Sequence, residues 1–223
     1  MPKKIKWGII STAKIAETDL IPAIKKSKNS ELVAIASRGK DKAVKFAKKN
    51  KVKKFYSSYK KLYEDETIDV IYNPLPNHLH VNSTINAINN NKHVLLEKPI
   101  TLKSKDVDLI KKAANKKNKI VKEAFMVRHH TQWQWVKKYI DSKKIGKING
   151  ITTLFSYKNL DPKNIRNIKK FGGGGLWDIG CYAIVISRYL MGKEPKRVVA
   201  EANFDKNFKT DNLATTILDF GGA

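Results

Sequence analysis

The sequence predicts an α/β protein in two parts: residues 1–124 form a doubly wound domain on a parallel sheet, and residues 125–223 form an α+β domain. Three observations carry this reading. Short continuous apolar runs alternate with helix-period segments up to about Phe125, the signature of strands covered on both faces. Beyond that point the strands are longer and alternate. A run of four glycines, Gly172 to Gly175, then opens an apolar-faced helix.

Ile5 to Ile10 reads as a buried strand, followed by a turn at Ser11-Thr12 and a helix carrying Ile15, Ala16, Leu20 and Ile24. Pro22 predicts that this helix kinks or restarts. Leu32 to Ser37 is a second strand, Asp41 to Lys49 a helix, Phe55-Tyr56 a short strand, Ser58 to Glu64 a brief helix and Asp69 to Tyr72 a fourth strand. His78 to Asn91 is helical, Val94 to Leu96 a strand, Leu102 to Lys117 a helix, and Ile120-Val121 opens another strand. In the second part, Trp133 to Ile140 is a helix, Ile148 to Tyr157 an alternating strand, and Leu160 to Lys170 a polar loop. The glycine-led helix runs toward Met191 with Gly192 as its C-cap. Strands follow at Arg197 to Phe204 and Leu213 to Phe220. The sequence stops at Gly221-Gly222-Ala223, in what reads as a hairpin turn, so further strands are expected beyond a fragment.

The formal net charge is +25, yet only five of the 45 basic residues are arginines: Arg38, Arg128, Arg166, Arg188 and Arg197. Base reading and bidentate phosphate contacts favour arginine, and the lysines are spread along helix faces. A solvated surface is expected rather than a specific nucleic-acid partner. No apolar run reaches the roughly 18 residues that span a bilayer, and the sequence enters its first strand without a signal-type segment. Cys181 is the sole cysteine, which excludes an internal disulfide and a thiolate metal cluster. A cytoplasmic protein with no bound metal is the expectation.

In a doubly wound fold the turn after the first strand receives a dinucleotide pyrophosphate. The G-x-G-x-x-G positions here read Ser11-Thr12-Ala13-Lys14-Ile15-Ala16, with small residues in place of the glycines. The second strand ends in Ser37-Arg38-Gly39, with Lys42 one turn on. A hydroxyl and a guanidinium suit a 2′-phosphate, where an acidic residue would bind the bare ribose. This favours NADP, with NAD as the alternative.

The glycine run leaves two readings open by itself. It is a flexible linker ahead of an amphipathic helix, or it is backbone that must come close to something. Asp178 and Tyr182, spaced i and i+4, project from one side of the helix start.

Trp7 to Ala16, Asn73 to His80 (NPLPNHLH), Glu97-Lys98-Pro99 and the glycine-rich Asp178/Tyr182 segment occur in this order, and together they resemble the glucose-fructose oxidoreductase/inositol dehydrogenase (Gfo/Idh/MocA) family. The resemblance implies a Rossmann domain followed by a domain with an open, mostly antiparallel sheet that often mediates dimerisation. It implies cofactor contacts from Ser11, Thr12, Ala13, Lys14, Ile15, Ser37, Arg38, Lys42, Pro74, Asn77, His80, Glu97 and Lys98. It assigns Lys98, Tyr182 and Asp178 to catalysis. Glu123 to His130 is similar to the EAFMYRFHP segment of relatives, which implies substrate contacts from Arg128 and His130 beside Asp178. Many members have His where this chain has Tyr182, and the Tyr resembles the branch of glucose-fructose oxidoreductase, dimeric dihydrodiol dehydrogenase and NADP-dependent xylose dehydrogenases. Members run to well over 300 residues.

The implied reaction is hydride transfer between NADP and a hydroxyl of an aldose or a vicinal or dihydrodiol, with Tyr182 as acid/base. Its phenol must titrate well below about 10. A Lys98 ammonium about 4 Å away would be worth roughly 4 kcal/mol at an effective dielectric near 20, at most about three pKa units. The alternatives are an NAD-holding epimerase or glycosidase acting through transient oxidation, and a non-catalytic NADPH sensor.

Overall fold

The computed structural model describes residues 3–222. Met1, Pro2 and Ala223, the last residue of the expected terminal hairpin turn, lie outside the described residues. The chain divides into two compact units, Met1–Ala124 and Phe125–Ala223.

The first unit carries β1 (Ile5–Ile10), α1 (Ile21–Lys26), β2 (Ser30–Ala36), α2 (Lys40–Asn50), β3 (Lys54–Tyr56), α3 (Tyr59–Glu64), β4 (Val70–Asn73), α4 (His80–Asn89), β5 (His93–Leu96), α5 (Ser104–Lys117) and β6 (Val121–Glu123). Its six strands are parallel and ordered β3-β2-β1-β4-β5-β6, so the strand order reverses between β1 and β4. Ile9, Ile35 and Tyr72 pack on one face with Ile21 and Phe46. Their chain neighbours Ile10, Ala34, Ala36 and Ile71 pack on the other with Leu62, Ile88 and Ile110. Successive strand residues point to opposite faces, and both faces are covered, which is why these strands are apolar without alternation.

Pro22 sits at the start of α1. A wide helical turn over Ala16–Leu20, closed by the Ile21 N–H on the Ala16 carbonyl, precedes it. The helix thus continues past a residue with no N–H to give.

The second unit carries α6 (Thr131–Asp141), α7 (Cys181–Met191), β7 (Arg197–Phe204) and β8 (Asp211–Asp219). Gly192 ends α7 at φ +66°, as its C-cap role requires. β7 and β8 form a two-stranded antiparallel sheet, and β7 is exposed along its length. The strand expected over Ile148 to Tyr157 does not form a ladder among the described residues. Alternation makes a strand only where its N–H and C=O groups pair with a neighbouring edge, and among the described residues β7 and β8 pair only with each other, their outer edges not being taken up by this segment. Leu154 is 93% exposed as a result.

Candidate functional site

The parallel register sets Ile9 beside Tyr72 and Tyr72 beside Leu95. The segments beginning at Ser11, Pro74 and Glu97 therefore leave the sheet at one edge, the carboxyl edge at the strand-order reversal where doubly wound folds bind ligands.

Ser11 adopts φ +76°, a left-handed turn made without glycine. Its amide donates to the Ala36 carbonyl (2.8 Å), and its Oγ accepts from the Ala13 amide (3.2 Å), which offsets part of the strain. Ala16 is fully buried, the small residue that close helix–sheet packing needs. Ser11 to Ile15 remain accessible, Lys14 most of all. Ser37 is buried and its amide donates to the Tyr56 carbonyl (3.0 Å), whereas Arg38 and Lys42 are exposed. The Arg38 guanidinium neighbours the Tyr59 hydroxyl on α3. Burial raises that phenol above its ordinary range and Arg38 opposes the shift. Tyr59 was not legible as part of this site, because its partner lies 21 residues earlier and nothing in the intervening sequence links them. A left-handed turn of small accessible residues at this sheet edge fits a bound dinucleotide.

Asn73 is fully buried. Its amide donates to Thr84 Oγ1 (3.2 Å) and its Oδ1 accepts from the Leu75 amide (3.2 Å). Pro74 and Asn77 stay half-buried. His80, fully buried, holds both ring nitrogens 2.7 Å from main-chain carbonyls, Nδ1 to Pro99 and Nε2 to Leu75. It ties the loop after β4 to the loop after β5 and presents no free polar atom to a ligand. Burial pushes its imidazole below the usual range, against the two carbonyls. Glu97 accepts from the Tyr72 hydroxyl (2.6 Å) and, at 3.2 Å, from the Lys98 amide. Burial raises its carboxyl, with the Tyr72 bond opposing. Glu123 Oε1 accepts from the Ile100 amide (2.6 Å). Residues 97–100, Lys98 among them, are thus held from β4, α4 and β6.

In the second unit a wide turn over Leu176–Gly180 leads into α7. Asp178 Oδ1 lies 2.8 Å from Arg166 Nε, and Oδ2 accepts from the Tyr157 hydroxyl (2.5 Å). Burial and the Asp178 bond push the Tyr157 phenol up to about 12. The Tyr182 ring meets Phe125 edge-on at 5.5 Å and Phe155 at 6.2 Å. Arg128 lies over the Tyr189 ring, 5.9 Å from its centroid. The His130 ring caps α6, its Nδ1 accepting from the Gln132 amide (3.2 Å). Both are exposed and neither is needed to hold Asp178. The Cys181 thiol points back at the Trp177 carbonyl (3.2 Å), as an ordinary helical thiol does. Among the described residues no cluster of three or more His, Cys, Asp or Glu could hold a metal, and no helix is long and apolar enough to cross a membrane.

The glycine run has a packing explanation. A Cβ at Gly173 would lie 2.7 Å from the Arg166 carbonyl carbon and 2.9 Å from the Ile165 oxygen, and one at Gly174, at φ +126°, would overlap the Asp211 carboxylate. Asp211 Oδ2 in turn accepts from the Leu176 amide (2.5 Å) at the helix start. What the backbone approaches is this chain itself, at Arg166 on one side and Asp211 on the other.

The model of an oxidoreductase family with an NAD-binding Rossmann fold matches residues 5–125, and that of the GFO/IDH/MocA C-terminal domain matches residues 133–223. The chain is 32% identical over 224 residues to a trans-1,2-dihydrobenzene-1,2-diol dehydrogenase of Xenopus laevis, covering 97% of this chain and 66% of that protein. It is 31% identical over 215 residues to D-xylose 1-dehydrogenase (NADP(+)) 2 of Haloferax volcanii, covering 96% and 65%. The crystal structure of KijD10, a 3-ketoreductase from Actinomadura kijaniata in complex with NADP and TDP-benzene, superposes with a TM-score of 0.88 at 30% identity, over 94% of this chain and 64% of that one. The chain thus spans about two thirds of the length of these relatives.

Proposed function

Because the chain belongs to the Gfo/Idh/MocA oxidoreductase family, we propose that it serves NADP-dependent hydride transfer at a hydroxyl-bearing carbon of an aldose or a vicinal diol. The carrying observation is one chain that keeps both a nucleotide-type sheet edge ending in Glu97-Lys98 and an Asp178/Tyr182 pair whose carboxylate is already fixed. Relatives named for a dihydrodiol and a xylose, with the solved 3-ketoreductase, support the substrate class.

When bound, the dinucleotide supplies a two-electron hydride acceptor. The chain's own residues hold the substrate and handle the proton. Asp178 accepts a hydrogen bond from a substrate hydroxyl. The Tyr182 oxygen takes the proton of the reacting hydroxyl as its carbon gives up hydride and the C=O forms, and the Lys98 ammonium favours the phenolate needed for this. Reduction runs the same steps in reverse. The turn from Ser11 to Ile15 receives the pyrophosphate, with Thr12, Lys14 and Ile15 offering backbone N–H groups because those of Ser11 and Ala13 are used within the turn and sheet, and Ser37, Arg38 and Lys42 bind the 2′-phosphate.

Lys98→Met and Tyr182→Phe are each expected to lower turnover at least about 10²-fold, read as NADPH absorbance with aldoses, cyclitols and dihydrodiols, while NADP binding is largely kept. Wild-type rates in both variants would sink this mechanism.

A further inference from the structure

An ionised Asp178 one turn ahead of Tyr182 poses an electrostatic difficulty, since a nearby anion disfavours a phenolate. The second unit places an arginine at that point. Arg166 Nε lies 2.8 Å from Asp178 Oδ1, and the Asp178 side chain is only 12% exposed. The backbone of Arg166 is held at three points: its amide donates to Asn164 Oδ1 (3.1 Å), its carbonyl accepts from the Gly174 amide (2.9 Å), and Gly173 packs against it without room for a Cβ. Tyr157 occupies the other carboxylate oxygen.

We propose that Arg166 is a positioning residue for the Asp178/Tyr182 pair. It fixes the carboxylate as an acceptor for a substrate hydroxyl, and it offsets the negative charge that would otherwise oppose ionisation of Tyr182. This role rests on the acid/base reading of Tyr182 given above. Bonded to Asp178, the guanidinium is tied to the residue one helical turn ahead of Tyr182, and a phenolate at Tyr182 favours its charged form. The neighbours described above make different contributions. Phe125 and Phe155 are neutral. Tyr157 gives its proton to the Asp178 bond and stays protonated. Arg128 lies against Tyr189 further along α7.

The test is a pH titration of the ring carbon signals in tyrosine-labelled chain, followed by NMR, with the Tyr182 signal assigned by its loss in Tyr182→Phe. Arg166→Met should raise the Tyr182 midpoint by about one unit or more, the scale of a lost neighbouring charge. Arg166→Lys should restore much of the shift. Asp178→Asn, alone or added to Arg166→Met, should lower the midpoint relative to its parent. A Tyr182 midpoint that is unchanged or lower in Arg166→Met overturns the proposal, whatever Asp178→Asn does. A purely structural role for Arg166 would leave the Arg166→Lys midpoint as high as that of Arg166→Met and the Asp178→Asn midpoint at the wild-type value, and that result overturns it too. The titration needs no substrate, so its failure is distinct from retention of turnover by Tyr182→Phe, which would remove the acid/base reading instead.

Discussion

Replacing Gly173 by alanine would set a methyl carbon 2.7 Å from the carbonyl carbon of Arg166 and 2.9 Å from the carbonyl oxygen of Ile165. Both neighbours are main-chain atoms, so no rotamer change relieves the overlap. The turn over Ile165–Asn167 would have to move by several tenths of an ångström. Overpacking of this kind costs about 1–3 kcal/mol, roughly a 5- to 150-fold loss in the local folding equilibrium at about 1.4 kcal/mol per decade. The turn also bonds Gly174 through the Arg166 carbonyl, so the loss should be felt from residue 165 to the start of α7. Amide hydrogen exchange followed by mass spectrometry over peptides spanning 165–182 reads that opening free energy directly. Gly150→Ala serves as the matched control, because a Cβ there meets nothing within 4 Å. Equal protection in the two variants would refute the argument that the glycine run exists to let this unit pack on itself.

His80 and Arg38 give two further outcomes. Burial depresses the His80 imidazole in the folded chain, so the unfolded state binds the extra proton first. Stability from this group is full above the unfolded value of about 6.5 and is lost as pH falls through the folded value. Denaturation midpoints measured from pH 8 to 5 should therefore fall less steeply in His80→Gln than in the parent, and equal slopes would rule this out. Arg38→Ala should weaken NADP binding at least about tenfold, the scale of one lost charge-assisted bond, while NAD binding changes far less. Calorimetric titration with both dinucleotides checks this, and equal losses would remove the 2′-phosphate assignment.

The first unit was legible because its physics is periodic. Ile9 and Ile10, or Ile71 and Tyr72, must be apolar when both faces of a sheet are covered, and the alternation of such short runs with helix-period segments marks a parallel sheet. The Pro22 interruption was legible for a similar reason, since a missing N–H is a local fact. Ser11 was harder. Sequence gives small residues in place of the fingerprint glycines, but the left-handed φ and the compensating Ala13 bond exist only once the turn is built. Ile148 to Tyr157 forms no strand, because alternation reports which faces a strand could show and says nothing of whether the segment pairs with an edge.

Arg166 shows where sequence reasoning stops. In composition it is one of five arginines, and its partner Asp178 is 12 residues away across a glycine run that reads equally well as a linker. The structure makes that run the means of bringing them together. Gly173 admits the Arg166 backbone, Gly174 admits Asp211, and Asp211 anchors the Leu176 amide at the helix start. Two supports on opposite sides of one loop fix where Asp178 stands before any ligand arrives. The cost is concentrated in backbone entropy at four glycines, and the return is a carboxylate with both oxygens placed. On this argument, substitutions in the run should disturb the Asp178 carboxylate first and leave dinucleotide binding by the first unit intact, whereas a loop that served to approach a cofactor would lose dinucleotide affinity first.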